Sequence, residues 1–136
     1  KRMKAGAGRI TRLWLTMVEV SDLDKAVEFY HNVLGLPLAL DARAFNHVEV
    51  GPDEPLAKIG LHATGKKARK RTRTGVVFDT DDIYALCERL KDHGVQFTQE
   101  PTVMPWGSIV ADFLDPDNNE LEVVQDEEHY TRQYGP

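Results

Sequence analysis

The chain repeats itself. Shifted by sixty positions, Asp22-Leu23 falls on Asp82-Ile83 and Ala26-Val27-Glu28 falls on Leu86-Cys87-Glu88. Gly35-Leu36 lands one residue away from Gly94-Val95. Self-similarity at a fixed offset marks a structural unit used twice. Each half reads as β-α-β-β-β, one sheet with one helix. The helix covers one face of its sheet, and the other face stays open. Two such sheets brought together make a curved, cup-like surface able to hold a small molecule. The expected fold class is therefore α+β: two βαβββ modules forming a cup-shaped mixed sheet, with helices on the outer face.

The first module spans residues 10–64. Arg12 to Val20 reads as a strand, with Leu13, Leu15, Met17 and Glu19 on one face and Trp14, Thr16, Val18 and Val20 on the other. Ser21 or Asp22 caps a helix whose apolar face is Leu23, Ala26, Val27, Tyr30 and Leu34, and Gly35 ends it. Strands follow at 36–40, 44–50 and 56–63, the last two joined by the Gly51–Pro55 turn.

The second module spans 74–125. Thr74–Thr80 is a strand, and Asp81–His93 a helix with Ile83, Leu86, Cys87 and Leu90 inward. A short strand at 95–98, an extended connection at 101–105 and a strand from Trp106 to Leu114 come next. Asp115-Pro116-Asp117-Asn118-Asn119 is dense turn chemistry, with a proline that presets φ and Asx side chains that bond their own backbone. The closing strand is Glu120–Gln125. Alternation puts Glu120, Glu122 and Val124 on one face and Leu121 and Val123 on the other. Glu122 is a carboxylate set among apolar neighbours, where it needs a reason.

Between the modules, residues 65–73 form a linker with six basic side chains in the eight residues 66–73. An anion or nucleic-acid patch would use such a run. The acidic whole, net charge −5, and the lack of interleaved aromatics favour a solvated connector and argue against nucleic acid as a partner. Residues 1–9 and 126–136 read as tails, the first without the apolar core of a signal peptide. No window reaches the ~18 apolar residues of a membrane span. The single cysteine excludes an intrachain disulfide and a Cys-rich metal site, and fits a cytoplasmic setting.

The order and spacing of these marks resemble the vicinal-oxygen-chelate superfamily, which holds glyoxalase I, bleomycin-resistance proteins, fosfomycin-resistance enzymes and extradiol dioxygenases. The residues that carry the resemblance are Val20-Ser21-Asp22-Leu23-Asp24, Phe29-Tyr30 and Val33-Leu34-Gly35-Leu36 in the first half. In the second they are Phe78 to Ile83, Pro105-Trp106-Gly107 and Asp115 to Asn119, where Asn118 replaces the usual glycine. Together they cover roughly Ile10 to Gln125.

The resemblance implies one divalent metal between the sheets, held by four strand positions and acting as a Lewis acid. Carried over, those positions are Leu15, Gly60, Gly75 and Glu122, and only Glu122 brings a donor. The expectation is thus a small organic ligand bound in an apolar cup without a metal cofactor. Leu15, Met17, His47, His62, Trp106 and Glu122 are its candidate contacts, and Glu122 is a catalytic base if the protein is an enzyme. The alternative is a metal-dependent lyase, isomerase or dioxygenase with displaced ligands His47, His62 and Glu122. A third reading is an interaction module whose basic linker meets an acidic partner. Trp106 either caps the pocket mouth or fills the core edge, and Glu122 is either functional or a remnant paired with Lys58 or an arginine. By analogy the protein is a homodimer.

Overall fold

The structure is a computed structural model, and it describes residues 8–66 and 70–126. Two four-stranded mixed sheets carry the fold, one from each half. The first contains β1 (Thr16–Val20), β2 (Leu38–Ala42), β3 (His47–Val50) and β4 (Ile59–Ala63), in the order β1-β4-β3-β2. The second contains β5 (Thr72–Asp79), β6 (Phe97–Val103), β7 (Ile109–Leu114) and β8 (Asn119–Gln125), in the order β5-β8-β7-β6. In both, the first strand pairs parallel with the last, and the other neighbours are antiparallel. The repeat seen in the sequence is thus a repeat of topology, and the α+β reading with two βαβββ modules holds.

Helix α1 (Leu23–Val27) starts at Asp22, whose side chain accepts from the Lys25 backbone N–H at 3.0 Å. It widens over Glu28–Val33 into a turn with bonds five residues back, such as Leu34 N to Phe29 O at 2.8 Å. Helix α2 (Ile83–Asp92) is capped in the same way by Asp82. Each helix packs on one face of its sheet. Val18, Val20, Val48, Val50 and Leu61 form the buried layer beneath α1, and Ala111, Phe113, Leu121 and Val123 that beneath α2. Cys87, on α2, is buried in the core against this layer.

Several boundaries differ from the sequence reading. β1 begins at Thr16, because its partner β4 begins at Ile59 and leaves Arg12–Leu15 without a ladder. The segments at 95–98 and 101–105 merge into one strand, β6. Pro101 is tolerated there because β6 is the sheet edge and needs no second ladder. Trp106 lies in a turn, Met104 to Ser108, closed by Met104 N to Ser108 O at 2.8 Å, and β7 starts only at Ile109. The basic segment is not a connector throughout. β5 takes in Thr72 and Arg73, while residues 67–69 of the linker lie outside the described residues.

The modules are tied together by the Asp115–Asn119 turn. Asp115 Oδ1 accepts from the backbone N–H of Asp117 (2.8 Å) and Asn119 (2.9 Å). Its Oδ2 accepts from Tyr30 Oη (2.8 Å) in the first module. Asn119 Nδ2 donates to Glu19 O at 2.9 Å. Asn118 takes φ 64°, the left-handed conformation that asparagine tolerates better than most residues.

Candidate functional site

On the first sheet, the residues on the face opposite α1 are Met17 and Glu19 from β1, His47 and Glu49 from β3, and Gly60 and His62 from β4. Glu49 is 8% exposed yet fully engaged. His47 Nε2 donates to its Oε2 at 2.7 Å, and Lys58 Nζ lies 2.9 Å from its Oε1. These two donors hold the Glu49 carboxyl below its usual range, against the opposing pull of burial. Lys58 also reaches Asp53 Oδ1 (3.3 Å), and its ammonium sits 4.6 Å from the Trp14 ring centroid. His62 packs edge-on against His47, with ring centroids 5.6 Å apart.

The second sheet's open face is an acid cluster with guanidinium partners. Arg73 donates from Nη1 to Glu120 Oε1 (2.9 Å) and from Nη2 to Glu122 Oε1 (3.3 Å). Arg71 Nη2 lies 2.5 Å from Glu120 Oε2, which also accepts from Thr98 Oγ1 at 2.7 Å. Burial alone would raise the Glu120 carboxyl, but Thr98 and the two arginines outweigh it and hold it low. Asp112, on β7, is the reverse case. Burial and then the neighbouring Glu122 charge push its carboxyl up.

The four family metal positions do not assemble into a ligand set. Leu15 and Met17 lie over Gly60, where a Cβ would sit 2.3 Å from Met17 Sδ and 3.2 Å from Leu15 Cδ1. Gly75 has φ 80°, so a ligating side chain there would be strained. Glu122 is paired with Arg73. A divalent ion needs at least three protein donors in most such sites, and this constellation offers one. Among the described residues, no three His, Cys, Asp or Glu side chains are placed to hold a metal ion. The structure thus brings His47 and His62 together on the first sheet, with Glu122 on the second.

Trp106 is 66% exposed, so it does not fill the core edge. Glu122 has an arginine partner, Arg73, and Lys58 serves Glu49 instead. His31 is half-buried, its Nδ1 2.7 Å from Leu36 O. His93 is exposed, and His129 lies outside the described residues. The open faces are more polar than the expected apolar cup. Their apolar parts are Leu15, Met17 and Val77, while a hollow of about 710 Å³ lies between the modules, lined by Leu36, Val50, Ile59, Val76, Phe78 and Phe113. The sequence reading missed Asp112, Arg73 and Thr98. Asp112 had a signal, a lone carboxylate inside Val110-Ala111-Asp112-Phe113-Leu114.

A pair of βαβββ modules, each with one sheet face left open by its helix, and a glutamate on the last strand define a class, and the sequence comparisons agree. Residues 12–123 match the Glyoxalase/Bleomycin resistance protein/Dioxygenase superfamily, and the chain belongs to it. A lactoylglutathione lyase of Neisseria meningitidis is 32% identical over 124 residues, covering 84% of this chain and 90% of the relative. Among solved structures, a superfamily member from Sphaerobacter thermophilus superposes with TM-score 0.73 at 32% identity, covering 86% of this chain and 98% of that one. TnmS3, an antibiotic binding protein from Streptomyces sp. CB03234, superposes with TM-score 0.70 at 31% identity, covering 85% and 96%.

Proposed function

We propose that this protein binds a small organic molecule on the open faces of its two sheets and does so without a metal. The observation that carries the reading is at Gly60, where the Met17 thioether and the Leu15 side chain occupy the space a ligating side chain would need. Ligand sites combine apolar surface with a few placed polar groups. Leu15, Met17 and Val77 supply the first, and the His47–Glu49–Lys58 and Arg73–Glu122 networks the second. The similarity to an antibiotic binding protein supports a binder. Glu122 and Trp106 are proposed contacts, and a homodimer is the proposed assembly.

The lyase-named relatives support a second reading, an enzyme of glyoxalase type. It would need His47, His62 and Glu122 to be drawn together around a cation. A thermal melt with Zn²⁺, Ni²⁺, Mn²⁺ or Fe²⁺ separates the two. A rise with one cation, lost in Glu122→Ala, sinks the metal-free reading. If no cation shifts the melt while an aromatic ligand quenches tryptophan fluorescence saturably, the binder reading is upheld.

A further inference from the structure

The repeat makes the two modules comparable residue by residue, and one junction is filled where its counterpart is hollow. Val18 pairs with Leu61 in the first sheet, and Phe78 with Val123 in the second. Val48 and Ala111 pair with Leu61 and Val123 in turn. Counted from these pairs, Pro52 matches Asp115 and Ala57 matches Asn119. The offset of sixty matches Leu90 to Tyr30 and Asp79 to Glu19. Beneath α1 the junction is closed by Asp115, which accepts from Tyr30 Oη, and by Asn119, which donates to Glu19 O. Beneath α2 the matching places hold proline, alanine and leucine, whose side chains can make none of these bonds. The hollow of about 710 Å³ lies there, bordered by Pro52, Ala57, Asp79 and Leu90.

Its interior is apolar, with Val50, Ile59, Val76, Phe78, Leu86 and Phe113 in the walls. That size and lining suit an organic molecule. β5 bulges at Gly75, on the border of the hollow, where its register with β8 shifts between Arg73 and Val77. Val76 and Phe78 pack inward on the core, so Val77 and Asp79 turn their side chains to the other face and border the hollow with main chain. Leu56, at φ 71°, is 65% exposed at the mouth. Lys58 and Arg89 also line it. Lys58 is taken by Glu49 and Asp53. Arg89, on α2, is exposed, and its Nη1 donates to Val33 O at 2.9 Å, which holds the guanidinium across the junction. Among the described residues, no carboxylate lies within ion-pair distance of it. A guanidinium is a flat fork of N–H donors that fits a carboxylate.

We propose that this hollow is a second ligand site, on the helix side of the sheets, for a carboxylic acid with an apolar body. The carboxylate meets Arg89 at the mouth, and the body lies among Val76, Phe78 and Leu86. The site is separate from the open faces, and it depends neither on a ligand there nor on a metal. The apolar body supplies most of the binding, since an exposed ion pair contributes little next to burial of an alkyl chain. Arg89 sets the preference among ligands of equal apolar size. It favours an anion over a neutral molecule and repels a cation.

The test is a titration of octanoate into the methyl-labelled full chain, followed at Val76, Leu86 and Leu90, with Met17 as the open-face control. Neutral 1-octanol and cationic octylammonium are run alongside. The expected result is saturable shifts at the three residues with Met17 unmoved, and octanoate bound about threefold to fivefold tighter than 1-octanol, as an exposed ion pair implies. Arg89→Gln, at an exposed position, should remove that preference and leave 1-octanol binding unchanged. Ala57→Phe puts a ring where Asn119 stands in the filled junction, and should abolish the shifts with every probe. The proposal is overturned if octanoate leaves the three residues unmoved, as it would were another segment or a second copy to close the hollow. It is equally overturned if octylammonium binds as tightly as octanoate, or if Arg89→Gln keeps the preference. Shifts at Met17 alone would overturn this site and leave the open-face reading standing.

Discussion

Tyr30 buries its ring in the first module and sends its hydroxyl across to Asp115 in the second. Burial, and then the Asp115 charge, push the Tyr30 hydroxyl well above its ordinary pKa. The folded state therefore keeps a proton that the unfolded chain releases above about pH 10. Stability contributed by this pair is present below pH 10 and falls as pH rises beyond it. Tyr30→Phe should cost about 1–3 kcal/mol in urea unfolding at pH 7, nearer the lower figure because Asn119 Nδ2 also donates to Asp115 Oδ2. The variant should also lose part of the native chain's steep alkaline decline. Equal alkaline slopes would contradict this account of the Tyr30 proton.

Glu49 has the opposite sign. Its folded carboxyl is held low by His47 and Lys58, so its contribution is present above the unfolded value near 4.5 and is lost as pH falls through the depressed one. Glu49→Gln should lower the melting temperature at pH 7 and flatten the acid side of a pH–stability curve. A variant as stable as the native chain at pH 7 would show that Lys58 finds another partner at no cost.

At the scale of elements, two glycines separate a rigid neighbour from a pliant one. A Cβ at Gly51 would lie 2.2 Å from the Ala57 carbonyl oxygen, at a φ of 114°. Backbone cannot swing aside, so Gly51→Ala should destabilise by about 2 kcal/mol or more. At Gly60 the nearest atom is the flexible end of Met17. Gly60→Ala should stay within about 1 kcal/mol of the native chain, because a strand interior gains from losing glycine entropy. Chemical denaturation of the two variants checks the contrast, and similar costs would contradict the packing described at Gly60.

The elements were legible where local chemistry decides them. Asp22 and Asp82 announce their helices, and the Asp115–Asn119 turn announces its strand pair. Where partners from far along the chain decide, the reading failed. Arg73 looked like part of a solvated run because its carboxylates are Glu120 and Glu122, nearly fifty positions away. Pro101 looked like a break because nothing local shows that β6 is an edge. In the candidate site, the sequence singled out His47, His62 and Glu122, but alternation along single strands could not show that His47 pairs with Glu49 and Glu122 with Arg73. The bulge at Gly75 was invisible for the same reason, since a register shift belongs to two strands at once.

The whole molecule is two similar modules that share one core, with the Asp115–Asn119 turn bonded across them. The Asp115–Asn119 segment bonds Tyr30 and Glu19 of the first module, and Arg89 of α2 donates to Val33 O at 2.9 Å. Asp115→Ala should therefore loosen the modules relative to each other more than it loosens either sheet. Hydrogen exchange checks this. Amides of β1 and β8 near the turn should lose protection first, and uniform loss over both sheets would contradict it. Exposed Leu40, Phe45 and Trp106 give the proposed homodimer apolar surface to cover, and sedimentation at micromolar concentration should find twice the chain mass.

The metal content of the purified protein tests the central claim most directly, measured by elemental analysis after exposure to equimolar Zn²⁺, Ni²⁺, Mn²⁺ and Fe²⁺ and removal of excess. The account predicts well under one metal per chain for every cation, and the same trace in Glu122→Ala. A near-stoichiometric metal that disappears in Glu122→Ala would contradict it, and would make His47 and His62 the next side chains to replace.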